Sequence, residues 1–440
     1  NTTFNIESGV QGEVLSVIFE NVSPMPNQSP NRESYLFDVM AVFEFTQDTV
    51  RPHELELAPR GFRYDRMVWG RGFNCAVIKE SENLYRTTHT PLHMQKRYDS
   101  QTKPEALFDV LAQNPVPTLR KILESMQSYL QEWDSAKSVY QSQYGSEWVN
   151  FELEFQRDRL LFEAETERFA QGLRLIETNP DVALAFKLTN ETFLRTGIHP
   201  TKPKTSWRLF QIVFLVTQIP GVAALESQDP LGLLEREMVD IIYFPTGGGK
   251  TEAYLGILVF HCFFDRLRGK AAGVTAWLRF PLRLLTLQQT QRMADVIGIA
   301  ELVRQGQTDS RFKNVAGFSV GYFVGESSSP NMLKPGSEKA DDRVAWSRAN
   351  DPTERDKWKR VVTCPACRTP TVRVDLDEVA TRIIHRCTNA NCLFPDGKIP
   401  IYIVDNEIYR YLPSVIVGTI DKLAGLGNQR KFSLILGAVT

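Results

Sequence analysis

The run Val239-Asp240-Ile241-Ile242-Tyr243, the turn Phe244-Pro245-Thr246-Gly247-Gly248-Gly249-Lys250-Thr251 and the run Glu252-Ala253-Tyr254-Leu255-Gly256-Ile257-Leu258 together narrow the folds open to this chain. The first run has the apolar content of a buried parallel strand, and the last has that of a helix packed on it. A glycine turn between strand and helix lets backbone N–H groups converge on an anion at the helix N-terminus, where the dipole also favours negative charge. In such a turn Lys250 reaches the β- and γ-phosphates of a nucleotide and the Thr251 hydroxyl binds Mg²⁺. The expected cofactors are therefore ATP and Mg²⁺, held by Thr246, Gly247, Gly248, Gly249, Lys250 and Thr251. A turn that merely joins strand to helix is the plainer alternative. Phe244 stands where the general phosphate-loop pattern begins with Gly.

A chain of 440 residues has room for two or three domains. With 42% hydrophobic and 23% charged residues it has the composition of an ordinary globular protein. Its formal charge of −1 argues against a coating role on nucleic acid, but leaves room for a locally basic groove. No stretch reads as a membrane span, because Leu209 to Leu225 is broken by Gln211, Gln218 and Pro220. No signal peptide is visible. Six cysteines, four of them in one cluster, suit a reducing cytoplasm with a metal site. The start at Asn1 and the apolar end, Phe432 to Val439, suggest a segment of a longer protein.

Residues 1–100 carry short alternating stretches, such as Val14 to Phe19 and Tyr35 to Phe43, between Pro, Asn and Gly clusters, and are expected to form a β-rich N-terminal domain. Residues 101–200 change to a helical period. Leu119, Ile122, Leu123, Met126 and Leu130 mark one stripe, and Phe151, Phe155, Leu160 and Phe162 another. Gly145 divides these into two long helices, read as an antiparallel hairpin that packs or spaces. His199 to Lys204 reads as a linker and 326–341 as a mobile surface loop. From 201 to 440 strands alternate with helical segments, so the expected fold class is α/β with a parallel sheet.

Four cysteines, Cys364 and Cys367 followed after 19 residues by Cys387 and Cys392, can close a tetrahedral Zn²⁺ site. His385 is an alternative ligand. Four protein ligands leave no open position, so the site reads as structural, folding an insertion at about 355–400. Arg360, Arg368, Arg373, Arg382 and Arg386 crowd around it, as a solvated face or a nucleic-acid contact.

Pro-Thr-Gly-x-Gly-Lys-Thr resembles the phosphate loop of superfamily 2 helicases and translocases, which often lack the leading Gly. Other elements extend the resemblance. Strand-like Ala276 to Phe280 runs into Pro281-Leu282-Arg283-Leu284-Leu285-Thr286-Leu287-Gln288-Gln289, starting 31 residues after Lys250. This is similar to Pro-Thr-Arg-x-Leu-x-x-Gln, with Leu282 for Thr, and implies that Arg283 contacts a nucleic-acid phosphate. Phe318 to Glu326 resembles the strand whose terminal glycine, here Gly325, lies beside the nucleic-acid strand. Ser414 to Leu423 resembles the strand followed by Thr-Pro-x-Arg-Leu, with Ile420 for Pro and Lys422 for Arg, and implies phosphate contacts from Thr419 and Lys422. Trp207-Arg208-Leu209-Phe210-Gln211 resembles an aromatic–Gln pair ahead of the loop, in which Gln211 reads the adenine edge.

The wording of the whole series, covering about 205–440, is similar to the large helicases of bacterial anti-phage systems of the DISARM or Druantia kind. The resemblance implies a first RecA-like domain with a zinc-binding insertion, in a cytoplasmic ATP-driven DNA translocase. Its partners would be a DNA single strand, or a duplex with a single-stranded end, and another protein of a defence complex. The alternatives are a restriction-type translocase that moves on duplex DNA without separating strands, and an ATP-gated DNA- or partner-binding module. Asp377-Glu378-Val379-Ala380 imitates the Mg²⁺-binding acid motif but lies inside the insertion and precedes Thr419, against the family order. The true acid and the arginine fingers are expected beyond Thr440, so this segment alone is an incomplete motor.

Overall fold

The computed structural model describes residues 4–11, 14–22, 39–47, 50–55, 61, 66–93, 104–197, 204–224, 230–243, 248–281, 283–325, 329–336, 346–425 and 430–437. The chain divides into two compact units, 1–100 with 137–158, and 101–136 with 159–440.

The first unit is built from short strands. A two-stranded antiparallel ribbon pairs β1 (Phe4–Gln11) with β2 (Val14–Asn21). A three-stranded sheet has the order β3-β7-β6, from β3 (Val42–Glu44), β6 (Val77–Lys79) and β7 (Leu84–Thr87). A further pair joins β4 (His53–Glu54) to β5 (Met67–Val68). Tyr85 is 2% exposed and packs edge-on to Phe45 and against Trp69, with ring centroids 5.6 and 5.4 Å away. In 137–158 the chain turns between two long helices. Gly145 takes φ +53 at that turn, where the left-handed region favours glycine, and Tyr140 stacks on Trp148 at 6.4 Å.

The second unit begins with β8 (Ala106–Leu107), paired antiparallel with β9 (Ser206–Trp207), and α1 (Phe108–Gln113). Helices α2 (Val116–Tyr144) and α3 (Trp148–Thr178) form the expected antiparallel hairpin, with Tyr129 edge-on to Phe162 at 5.2 Å and Arg159 paired with Asp134. Leu119, Ile122 and Met126 are buried, as their spacing requires. Leu160 is 61% exposed, against expectation. Five residues past the buried Phe155, it is turned about 140° away from that face. Helix α4 (Pro180–Thr196) starts on Asn179, whose side chain accepts from the Asp181 and Val182 N–H groups, with Pro180 at the first position. Trp207 is buried against Phe108 and Phe193, and its Nε1–H donates to Asn190 Oδ1 at 2.8 Å.

Helices α5 (Leu209–Ala223), α6 (Pro230–Glu237) and α7 (Lys250–Leu267) precede β10 (Ala276–Phe280), which leads into α8 (Arg283–Gln305) and β11 (Val320–Phe323). Short helices α9 (Trp346–Asn350) and α10 (Pro352–Asp356) lead to the antiparallel hairpin β12 (Val372–Asp377) and β13 (Arg382–Cys387). The chain then runs through β14 (Ile401–Tyr402), α11 (Asp405–Tyr411), β15 (Val415–Thr419), α12 (Asp421–Ala424) and α13 (Phe432–Ile435).

One four-stranded sheet, all parallel, has the order β10-β15-β11-β14. All five residues of β15 are buried, which is why it reads as an unbroken apolar run. Gly418 sits where the strands approach closely, since a Cβ there would lie 2.5 Å from the Phe323 carbonyl oxygen. One core includes Ile212, Leu215, Phe260, Phe263, Ile297, Val320 and Val417, and a second gathers Phe323 and Ile416 of the sheet with Ile408, Tyr409, Phe432 and Ile435 of α11 and α13.

The expected buried strand at Val239–Tyr243 is absent. Val239, Ile241 and Tyr243 are 87%, 85% and 97% exposed, and the segment forms no ladder. Its alternating side chains face solvent because no described strand lies alongside it, and the outer edge of β10 likewise pairs with no described strand. Asp240 is held instead by the Arg168 guanidinium, at 2.8 and 3.1 Å, and by Gln218 at 2.7 Å. Burial opposes ionisation of Asp240, but these hydrogen bonds and the Arg168 charge keep its carboxyl below its ordinary pKa. Among the described residues no helix is long and apolar enough to cross a membrane.

Candidate phosphate-binding turn and cysteine centre

Of the glycine turn, Gly248 and Gly249 are described, and Lys250 and Thr251 open helix α7. Phe244, Pro245, Thr246 and Gly247 lie outside the described residues. Gly249 caps the helix at φ +91, a conformation that demands glycine, and a Cβ there would fall 2.6 Å from Gln211 Nε2 and displace that side chain. A cradle closed to side chains leaves backbone N–H groups at a helix N-terminus accessible to an anion, which suits a nucleotide phosphate.

Two residues at the start of α5, the N-cap Arg208 and Gln211 in its first turn, grip this turn. Gln211 Nε2 donates to the Gly249 carbonyl at 2.8 Å, and its Oε1 accepts from the Arg208 N–H at 2.8 Å. Arg208 Nη1 donates to the Gly248 carbonyl at 2.6 Å. The geometry gives Gln211 partners other than the adenine edge expected from sequence. Its amide is engaged on the loop backbone, and Arg208 holds the loop beside it.

Glu252 was also missed. Its Oε1 accepts from Lys204 Nζ at 2.6 Å and from Arg292 Nη2 at 2.7 Å, tying the start of α7 to the middle of α8. Burial opposes ionisation of Glu252, yet Lys204 and Arg292 bring its pKa below the ordinary 4.5. A lowered folded-state pKa adds stability above the unfolded value, and that stability is lost as pH falls through the folded one. Glu252→Gln is therefore expected to cost about 1–2 kcal/mol at pH 7. The difference from wild type should shrink as pH falls below about 4.5, measured by urea denaturation across that range.

The residues resembling nucleic-acid contacts gather at one end of the sheet. Gly325 follows β11 and Thr419 ends β15, its neighbour, while Arg283 opens α8 after β10, whose Phe280 pairs with Thr419. Leu282 and the Arg283 side chain are outside what the structure describes. Thr419 is 2% exposed. Lys422 Nζ bonds Asp405 Oδ2 at 2.6 Å and lies 4.6 Å from the Phe323 ring centroid, so its charge is engaged within the fold.

Four cysteines come together as their spacing predicts. The sulfurs of Cys364, Cys367, Cys387 and Cys392 all lie within 4.8 Å of one another. Cys364 to Cys392 is 3.7 Å and Cys367 to Cys387 is 3.5 Å. Those separations are far beyond a disulfide's ~2.05 Å. They suit the ~3.8 Å edge of a tetrahedron with Zn–S bonds of ~2.3 Å. Against burial, hydrogen bonds from Thr369 bring the Cys367 thiol down to about 6, whereas burial pushes Cys364 up. His385 takes no part. It is fully buried, accepts the Arg360 N–H on Nε2 at 2.9 Å, and has its pKa pushed down to about 3 by burial.

The centre is fastened to α8. Gln291 Oε1 accepts from the N–H groups of Val362 and Thr363, Arg368 pairs with Asp295 at 3.1 Å, and Gly298 faces Pro365 and Phe394. The arginines around the centre make contacts with rings and carboxylates of the protein. Arg360 lies over Tyr322, Arg373 and Arg386 pair with Asp375, and Arg382 packs on Tyr402 and Tyr411. Asp377-Glu378-Val379-Ala380 forms the tip of the β12–β13 hairpin, where Asp377 Oδ1 accepts the Ala380 N–H and Val379 is 99% exposed.

No protein-family model matches the chain. A curated relative does, the "DISARM protein DrmA" of Bacillus paralicheniformis, at 29% identity over 437 residues. The chain is similar to DrmA. The match covers 85% of this chain and 36% of the relative, so the chain spans about a third of DrmA's length.

Proposed function

We propose that this chain is the ATP-binding, first RecA-like portion of a superfamily 2 DNA translocase acting in DISARM-type anti-phage defence with a partner protein in the cytoplasm. The observation that carries the reading is the left-handed Gly249 cap, gripped by Arg208 and Gln211, immediately before Lys250 and Thr251. When bound, ATP with Mg²⁺ supplies the phosphoryl chemistry. Gly248 and Gly249 would present backbone N–H groups to its phosphates, with Thr246 and Gly247 completing the loop. Lys250 would offset the β/γ charge and Thr251 would ligate Mg²⁺, while Gln211 would have to leave Gly249 and the Arg208 N–H to reach an adenine edge.

Arg283, Gly325, Thr419 and Lys422 would follow a DNA backbone across one end of the sheet, and Lys422 would leave Asp405 to do so. Zn²⁺ on the four cysteines would be structural, stiffening the insertion against α8. The exposed Val239–Tyr243 and the open edge of β10 fit this fold, since both are places for further strands.

Strand-displacement and triplex-displacement assays on the full-length protein test the activity. Displacement of an annealed strand from a tailed duplex, dependent on ATP, is the expected result. Triplex displacement without strand separation would replace the helicase with a duplex translocase. No DNA-stimulated ATP hydrolysis at all would leave only a nucleotide-gated binding module.

A further inference from the structure

A cleft of about 380 Å³ lies between the end of the β12–β13 turn and helices α11 and α13, lined by Arg382, Asn406, Glu407, Arg410, Tyr411 and Lys431 among others. None of these residues belongs to the turn, the cysteine centre or the sheet end described above. Arg410 and Lys431 are exposed, and Arg382 and Tyr411 are half-buried. Glu407 is 4% exposed. Its Oε1 accepts the Ile383 N–H at 3.0 Å, while Oε2 has no partner among the described residues, and neither has Arg382 Nε. Burial raises this carboxyl to about 7, so at neutral pH it can donate as well as accept. Tyr411 is stacked on Tyr402 with centroids 5.0 Å apart, and the guanidinium carbons of Arg382 and Arg410 lie 4.6 and 5.2 Å from the Tyr411 centroid.

This combination is selective. Exposed cations attract phosphate, a planar tyrosine–guanidinium face suits a stacked ring, and a carboxyl able to both donate and accept suits an edge with N–H and ring-nitrogen groups. An acidic peptide would satisfy the cations but would offer no ring to the tyrosine–guanidinium face. Tyr402, on which Tyr411 stacks, is on β14, which pairs with β11.

We propose that this cleft takes one nucleotide unit of a single-stranded nucleic acid, with its phosphate on Arg410 and Lys431 and its base against Tyr411 and Arg382, near Glu407. It extends the nucleic-acid reading above and rests on it. The hairpin of the cysteine module thereby acts in binding, through Arg382, as well as in folding.

The test is fluorescence anisotropy of the full-length protein with a labelled oligothymidylate of roughly a dozen nucleotides, over a range of salt. Arg410→Glu with Lys431→Glu should weaken binding about tenfold or more, and should flatten the slope of log K against log salt by about 0.7 per lost phosphate contact. Tyr411→Ala should weaken binding several-fold with the slope unchanged. Arg373→Glu, an exposed charge on the same module and outside the cleft, should change neither. Wild-type affinity and slope in both the charge-reversal and Tyr411 variants would overturn the cleft while leaving the nucleic-acid reading intact. A wild-type protein that does not bind the oligonucleotide would overturn both. Tighter binding of oligoglutamate than of oligothymidylate would replace the nucleotide with an acidic partner.

Discussion

Lys250→Ala in the full-length protein is expected to lower DNA-stimulated ATP hydrolysis by about two to three orders of magnitude, the usual effect of removing a group aimed at transition-state charge. Phosphate release at saturating DNA is the measurement. Phosphoryl transfer leaves little covalent chemistry to the protein, so catalysis rests on positioning and on offsetting the charge that builds between the β- and γ-phosphates. In the first turn of α7, Lys250 directly follows the left-handed Gly249 cap. Folding should be unaffected, because the contacts of the turn to Arg208 and Gln211 use the carbonyls of Gly248 and Gly249. Full hydrolysis by the variant would remove the turn from the reaction.

Cys364→Ser is expected to abolish metal binding and to loosen the module on α8. Wild-type protein should carry about one zinc per chain by elemental analysis, and the variant none. A structural zinc contributes ~10–16 kcal/mol of apparent binding free energy that is also folding free energy, so the thermal transition of the module should fall steeply or disappear. Cys364 is fully buried, and the neighbouring Val362 and Thr363 N–H groups are the ones Gln291 of α8 accepts. Loss of the centre should therefore also lower protection of α8 amides in hydrogen exchange. A metal-free wild type with an unchanged melting transition would show that the thiols are not a zinc site.

Local sequence carried the features that depend on local chemistry. The strand at Val415–Thr419 was legible as an apolar run because it lies wholly buried inside a parallel sheet, and Ala276–Phe280, at that sheet's edge, keeps enough apolar residues to read the same way. The cysteine cluster was legible because the Cys-x-x-Cys turn fixes half a tetrahedron by itself. Val239–Tyr243 has the same apolar content as those strands and still forms no ladder, since pairing depends on a neighbour that its own residues do not encode. The two-residue strand at Ile401–Tyr402 was missed because its length gives no period to read.

Contacts across long sequence separations were invisible for a similar reason. Glu252 meets Arg292 40 residues on, and Asp405 neutralises Lys422 from another helix. Nothing in Lys422's own motif reveals that its charge is already taken. Gln211 was found by its position after an aromatic residue, but its bond to Gly249 depends on how α5 packs beside α7.

Equilibrium titration of a fluorescent ATP analogue with Mg²⁺ into the full-length protein, compared with its Lys250→Ala variant, tests the central claim most directly. Saturable binding to the wild type, displaced by ATP and weakened about tenfold or more in the variant, is the expected result. Absence of binding, or equal affinity in the two proteins, would contradict a nucleotide site at Gly249-Lys250-Thr251.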